Sequence, residues 1–293
     1  MVGAKGKAKM VALQLISAGL TDRGHERAAN EDSILDYTGL TETGENFGLY
    51  IVCDGLGGHH AGDVASHMAV STVDTELQVI LPPMPPHHMN SADINHTIWT
   101  AVQRANLEIW YATESNELPT VGMGTTLTMA VVIYDTVHIA HVGDSRLYLL
   151  RDGKLEQLTQ DHTMAAALAE AGQISPEEIV DHPRQNVLTR ALGRQNTVEV
   201  DLLELPLLPG DMLLLCSDGF WKAFKGGKGF EEQLNGREKT ADLCRRLIEE
   251  ANERDGSDNL SLIVVSAYKL KSELRRSDSM QLGERQVRES VPA

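Results

Sequence analysis

Residues 125–153 read TTLTMAVVIYDTVHIAHVGDSRLYLLRDG, which is a series of three apolar runs separated by very short connections. Asp135 alone separates the first two runs, and the third ends in Arg151-Asp152-Gly153 before another short run. Parallel strands need long crossover segments, whereas such short links suit antiparallel neighbours. This stretch therefore predicts consecutive antiparallel β-strands.

Similar apolar runs recur along the chain and predict further strands. They lie at residues 11–20, 47–54, 197–205, 211–218 and 259–268. Three segments have helical spacing instead, at about 64–80, 94–109 and 240–252. Strands bracketed by helix groups favour an α+β fold in which helices cover the outer faces of antiparallel sheets.

Two regions differ from this pattern. Residues 159–187 are helix-prone and lie between strands, so we expect an inserted flap there. Residues 269–293 are polar, mixed in charge and without periodicity, so we expect a disordered tail. Between a leader at 1–10 and this tail, residues 11–268 are predicted to form one domain.

Composition excludes several classes of function. The chain has 293 residues with 42 acidic and 26 basic side chains, a formal charge of −16 that argues against binding nucleic acid. Its three cysteines lack the spacing of a zinc site or a disulfide framework, which favours a cytoplasmic protein. No apolar run approaches the ~18 residues that span a membrane.

Acidic side chains repeatedly follow the apolar runs. Asp54, Asp144 and Asp218 each end a predicted strand, Asp258 precedes the last one, and Asn30-Glu31-Asp32 follows the first. Any one of these sites could be an ordinary turn. If the sheets bring several of these strand ends to one edge, however, their charges would repel unless cations lay between them.

Such an all-carboxylate set suits hard divalent ions, Mg²⁺ or Mn²⁺. Two such ions, ~3.5–4 Å apart, can acidify a water molecule and direct it at phosphorus. A phosphate substrate also needs a cation with planar, bidentate geometry, and Arg27, five residues before Asp32, is the candidate.

Taken together, the motifs resemble those of the metal-dependent Ser/Thr protein phosphatases of type 2C, in their bacterial form. Seven stretches match in family order and span the chain from about residue 16 to 268. They are RAANEDS (27–33), VCDGLGGHHAGDVAS (52–66), GMGTTLTMAVV (122–132), AHVGDSRLYLLRDGKLEQLTQDHT (140–163), HPRQNVLTRALG (182–193), GDMLLLCSDGFW (210–221) and GSDNLSLIVV (256–265).

The resemblance implies a four-layer α/β/β/α sandwich with a metal centre at one edge of its two antiparallel sheets. It implies that Asp54 bridges two tightly bound ions and that Asp218 and Asp258 hold the first of them. The second ion would be held by Glu31, Asp32 and the carbonyl of Gly55.

The resemblance further implies a possible third ion, shared by Asp144 and Asp218, and a phosphate-binding role for Arg27. The general acid is less defined. Animal members of the family have a histidine directly after the Asp-Gly pair, where this chain has Leu56. His59 is the candidate that remains, and a metal-bound water is the alternative.

Three functions stay open at this stage. The leading hypothesis is an active phosphatase for phosphoserine and phosphothreonine in proteins, which opposes a cognate bacterial Ser/Thr kinase. The second is a pseudophosphatase, a phosphoprotein-binding module on the same fold, although no predicted metal carboxylate is missing. The third is a phosphatase for phosphorylated anti-sigma antagonists, which the motifs match less well.

Overall fold

A computed structural model gives the fold of this protein. It describes residues 13–40, 46–57, 61–81, 89–114, 122–225, 230–234 without the side chain of Glu232, 238–270, and the backbone of 286–288.

Five strands form one antiparallel sheet, in the order β1-β11-β10-β7-β8. Their bounds are β1 Leu13–Asp22, β7 Arg146–Arg151, β8 Lys154–Gln157, β10 Met212–Cys216 and β11 Leu260–Lys269. Each of these strands except β8 was predicted from its apolar run, and β8 is the short run after Gly153. The first and last long strands of the chain pair with each other over their full length, Leu13 with Lys269 and Asp22 with Leu260.

The other strands form a seven-stranded sheet in the order β12-β2-β3-β5-β6-β9, with β4 paired to the end of β3. Their bounds are β2 Asp32–Leu40, β3 Asn46–Leu56, β4 Gly124–Thr125, β5 Leu127–Ile133, β6 Thr136–Val142, β9 Asp201–Pro206 and β12 Gln286–Arg288. The β5–β6 hairpin closes at Asp135, as the short connection predicted. Strand β2 was not predicted, and β9 begins four residues later than its apolar run.

Side chains alternate between two cores along these strands. On β3, Tyr50 and Val52 are buried in the core between the sheets, while Leu49 and Ile51 are buried under helices. This period of two is what a strand covered on both faces requires.

Helices cover both outer faces of the two sheets. Helices α1 (Ala61–Leu77) and α2 (Ser91–Glu114) pack on the seven-stranded sheet, and α5 (Thr240–Arg254) packs on the five-stranded sheet beside the short α4 (Asp218–Ala223). The buried stripe of α2 contains every position that the helical spacing predicted, from Ile94 to Ile109. The four layers confirm the predicted α/β/β/α sandwich.

The segment between β8 and β9 contains α3 (Met164–Glu170) and a single 3₁₀ turn, Pro176–Glu178. An isolated bridge joins Thr163 to Leu188 within the segment, and a second one attaches Leu192 to Thr125 of β4 in the seven-stranded sheet. This is the region in which the flap was predicted.

The structure describes none of the predicted leader and only part of the predicted tail. The leader at 1–10 lies outside the described residues, as does most of the predicted tail. Residues 286–288 of the tail pair with the edge of β2, from Ile34 to Asp36. Within the described ranges, none of the helices combines the length and the apolar character that a membrane crossing demands.

Candidate metal centre

Two of the predicted acids come from neighbouring strands of the seven-stranded sheet. Asp32 is the first residue of β2 and pairs in register with Asp54, near the end of β3. The Asp32 side chain is buried, with 2% of the residue exposed. Antiparallel pairing thus places two carboxylates that are far apart in sequence side by side.

Two more acids come from the five-stranded sheet. Asp218 begins α4 and is separated from β10 by Ser217 alone, and Asp258 is separated by Asn259 alone from β11, which pairs with β10. Ser217 and Ser261 join these two ends, because the Ser217 N–H donates to the Ser261 carbonyl at 3.1 Å. Asp218 and Asp258 therefore lie at the same edge of this sheet.

Asp144 lies in the turn between β6 and β7, where the chain crosses from one sheet to the other. Its side chain is buried, and the indole N–H of Trp221 donates to its carbonyl at 2.9 Å. Since Trp221 belongs to α4, this bond fixes Asp144 relative to the helix that carries Asp218.

Glu31 and Gly55 are joined by a backbone hydrogen bond. The Gly55 N–H donates to the Glu31 carbonyl at 3.1 Å. A Cβ atom on Gly55 would lie 2.1 Å from the carbonyl oxygen of Gly62 in α1 and 2.5 Å from that of Glu31, so only glycine fits there. This close contact brings Glu31 to the N-terminal end of α1 and to the end of β3.

The protonation of the cluster indicates how closely its members approach. Burial raises the pKa of Asp54 well above its ordinary value, and the charges of Asp218, Asp32 and Asp144 raise it further. Burial alone would raise the pKa of Asp218 as well, but the charge of Lys222 and a hydrogen bond from Asp54 lower it overall. Between these two neighbouring carboxyls, the protonated form is thus favoured at Asp54 and the charged form at Asp218.

Two other members show the same crowding. Burial raises the pKa of Asp32 to about 7, with Asp218 and Asp258 adding to the shift while a hydrogen bond from Ser261 opposes it. Burial and the charge of Asp218 also raise the pKa of Asp144. The predicted strand-end acids therefore form one interacting cluster at the edge of the sandwich.

The donor set fits a hard divalent ion. It consists of oxygen atoms, and the buried Oδ1 of Asp32 accepts no hydrogen bond from the described residues. In the described ranges, however, no three His, Cys, Asp or Glu side chains are arranged so that they could hold a metal ion as they stand. Two of the acids face protein cations instead.

These cations are Arg27 and Lys222. Arg27 Nη2 lies 2.8 Å from Asp258 Oδ2, with half of the Arg27 side chain exposed. Lys222 Nζ pairs with Asp218 Oδ2 one helical turn away. Arg27 thus lies at the rim of the cluster, and His59 lies outside the described residues.

Sequence reasoning missed some residues that shape this site. The Asn259 side chain accepts from the Glu31 N–H at 2.8 Å and donates to the carbonyls of Arg23 and Ala29 at 2.9 and 3.0 Å. It thereby fixes the loop that carries Arg27 and Glu31. The signal available was its position directly after Asp258 in the quoted GSDN motif. For Lys222, the signal was its position four residues after Asp218 on a helix.

Comparisons with known proteins identify the family of this chain. The family model for Protein phosphatase 2C matches residues 23–263. The chain is 40% identical over 248 residues to the serine/threonine phosphatase stp of Listeria monocytogenes serotype 4b (strain F2365), covering 84% of this chain and 93% of the relative.

Solved structures show the same likeness. The S. agalactiae serine/threonine phosphatase superposes with a TM-score of 0.76 at 31% identity, covering 86% of this chain and 99% of that one. The catalytic domain of the serine threonine protein phosphatase PstP, in complex with two manganese ions, superposes with a TM-score of 0.71 at 33% identity, covering 88% and 100%. The chain therefore belongs to the protein phosphatase 2C family.

Proposed function

We propose that this protein hydrolyses phosphoserine and phosphothreonine in other proteins, at a metal centre built on the carboxylate cluster. The observation that carries the proposal is the convergence of acids from both sheets at one edge, where burial and then the neighbouring carboxylates raise the pKa of Asp54. Acids held together in this way gain stability from bound cations. The named phosphatases among the relatives support the same reaction.

The proposed ligands follow the cluster. Asp54 would contact two ions, with Asp218 and Asp258 on one side of it and Glu31, Asp32 and the Gly55 carbonyl on the other. Bound there, such ions lower the pKa of a water molecule and neutralise phosphate charge. Manganese is favoured by the PstP complex, and Mg²⁺ accepts the same hard oxygen donors.

A third ion, shared by Asp144 and Asp218, is part of the proposal. The hydrogen bond from Trp221 to the Asp144 carbonyl supports it, because this contact fixes the two acids relative to each other.

Arg27 is proposed to bind the substrate phosphate. Its guanidinium is half exposed at the rim of the cluster and points toward Asp258, so it can reach a ligand that approaches from solvent. A planar guanidinium can donate two parallel hydrogen bonds to a phosphate. Phosphate binding would therefore replace or share the present ion pair with Asp258.

The direct test measures phosphate release from a phosphothreonine peptide with Mn²⁺, with Mg²⁺ and with EDTA. We expect release with either ion and none with EDTA. Asp54→Asn and Asp218→Asn should each lower kcat/KM by at least about a hundredfold, a typical loss when an electrostatic group at the reacting centre is removed. Asp152→Asn is the matched control, because Asp152 lies in an exposed turn at φ 52°, a conformation that asparagine tolerates. Full activity in either cluster variant would refute the ligand assignment.

The alternative is a pseudophosphatase that binds phosphoproteins without turnover. No acid of the predicted set has been replaced, which favours the enzyme. The discriminating experiment loads the wild-type protein with Mn²⁺ and assays a panel of phosphoproteins, including a phosphorylated anti-sigma antagonist. If the protein binds phosphoproteins of the panel but releases phosphate from none of them, the alternative is established.

We further propose a cytoplasmic location and a cognate Ser/Thr kinase as partner. Cys53 and Cys216 are buried free thiols, as in proteins of reducing compartments. Cell fractionation tests the location, and removal of phosphate from the autophosphorylated kinase of the same cell tests the partnership.

A further inference from the structure

Lys222 is the one residue of α4 that brings a positive charge into the acidic cluster. Its Nζ forms an ion pair with Asp218 Oδ2, one helical turn toward the N-terminus, and only 20% of its side chain is exposed. A lysine side chain rarely lies so far from solvent unless its charge is compensated. Asp218 supplies that compensation here.

Two features hold the ammonium in this place. The preceding residue, Trp221, is buried, and its ring centroid lies 5.3 Å from Nζ, within the range of a cation–π interaction. The same indole donates to the carbonyl of Asp144. A chain of contacts therefore runs from Asp218 through Lys222 and Trp221 to the backbone of Asp144.

The charge of Lys222 acts on more than its direct partner. Burial lowers the pKa of Lys222, but Asp218 first, then Asp144 and Asp54, raise it overall. In return, Lys222 opposes the burial that raises the pKa of Asp144. The ammonium thus contacts one of the two acids that the third ion would use, and its charge acts on the other.

We infer that Lys222 is a built-in counter-ion of the carboxylate cluster and that its ammonium competes with the divalent ion proposed to share Asp144 and Asp218. This inference rests on the proposed function, because it assumes those two ligands. An ammonium on Asp218 Oδ2 excludes a divalent ion from the same oxygen and repels it from the neighbouring acid. Occupation of that position requires Lys222 to leave Asp218.

Two consequences follow for the properties of the protein. The third ion binds more weakly than the other two, because it must displace an ammonium that is already in place. The metal-free protein keeps the ammonium of Lys222 against Asp218, which limits the repulsion among the buried acids before any metal arrives. Lys222 thereby sets both the metal affinity of this position and the stability of the empty centre.

The experiment titrates Mn²⁺ into metal-free protein and measures free Mn²⁺ by electron paramagnetic resonance, which needs no turnover. Lys222→Met removes the charge and keeps the length of the side chain. We expect the dissociation constant of the weakest-bound ion to fall by about tenfold or more, the order of effect of one charge near a partly screened site. Lys239→Met is the matched control, since it loses the same charge at an exposed position before α5, and its binding constants should equal those of the wild type.

A second readout uses the metal-free state. In EDTA, Lys222→Met should melt at a lower temperature than Lys239→Met, and Mn²⁺ should raise its melting temperature by more. Lys222→Gln removes the charge but keeps a hydrogen-bond donor for Asp218. If the methionine variant folds only with metal, the Mn²⁺ titration is carried out on the glutamine variant, with the same expected result. Lys222→Arg, which retains the charge, should stay close to the wild type.

The inference is overturned if Lys222→Met and Lys222→Gln bind every Mn²⁺ with wild-type constants, or more weakly. That outcome leaves the proposed function intact as long as the wild type binds Mn²⁺ and hydrolyses phosphopeptides. Conversely, a wild type that binds Mn²⁺ without turnover contradicts the proposed reaction alone.

Discussion

Asp32 offers a test of how strongly the cluster depends on cations. Burial raises its pKa from 3.8 to about 7, and its Oδ1 receives no hydrogen bond from the described part of the chain. Asp32→Asn keeps the shape and removes the charge. The amide oxygen can still accept the hydrogen bond that Ser261 donates to Oδ2 at 2.6 Å.

The sign of the effect depends on pH and on metal. A carboxyl whose pKa is raised in the folded state stabilises the protein below its unfolded pKa, and that stability is lost as pH rises through the folded pKa. For Asp32 the loss runs from about pH 4 to about pH 7. Each pKa unit corresponds to about 1.4 kcal/mol, so the full loss is up to about 4 kcal/mol.

In EDTA, the asparagine variant should therefore be more stable than the wild type at pH 8, by up to about 4 kcal/mol, and within about 1 kcal/mol of it near pH 4.5. With saturating Mn²⁺ the order should reverse, because the wild type then gains a ligand contact that the variant lacks. Urea unfolding under these three conditions measures all of the differences. A variant that is destabilised equally at both pH values in EDTA would refute the reasoning.

Three further substitutions test other parts of the site. Arg146→Met leaves the buried carboxylate of Asp161 without the two hydrogen bonds of 2.8 and 2.6 Å that Arg146 donates, so urea unfolding should show a free energy of unfolding lower by about 3–5 kcal/mol. Replacing Asp161 by Leu in the same protein should recover much of this loss, and a double variant without recovery would contradict this account. Gly24 has φ 76°, and a Cβ there would lie 2.2 Å from the Asp258 carbonyl oxygen, so Gly24→Ala should weaken Mn²⁺ binding and cost more than about 1 kcal/mol of stability. A Gly24→Ala variant with the Mn²⁺ binding constants and the stability of the wild type would contradict this prediction. Arg27→Ala should raise KM for a phosphopeptide by about tenfold while changing stability by less than about 1 kcal/mol, because its ion pair with Asp258 is half exposed; steady-state kinetics that match the wild type would exclude a role in phosphate binding.

Much of the fold could be predicted from the sequence because most strands are continuous apolar runs. Strand β2 escaped prediction because Asp32, Asp36 and Thr38 interrupt its apolar residues. Its polar residues have tertiary partners that no local pattern reveals: Thr38, for example, bonds to the Tyr50 hydroxyl at 2.6 Å. Helix α4 was missed because its six residues begin with Asp-Gly, which reads as a turn.

The candidate site shows a similar division. The acids could be found because strand ends and family motifs mark them in the sequence. The partner of Arg27 could not, because the position of an arginine in the sequence does not reveal which distant carboxylate it will pair with. Arg27 pairs with Asp258 across 231 positions, a contact that depends on the finished arrangement of both sheets.

The position of this cluster has a consequence for the mechanics of the whole domain. Asp32 and Asp54 belong to one sheet, whereas Asp218 and Asp258 adjoin strands of the other. An ion bound among them would act as a cross-link between the two layers, so its affinity would report on their relative placement. A mutation in the distant interlayer core, such as Leu213→Ala, should then be detectable as faster release of manganese, even though it touches none of the ligands.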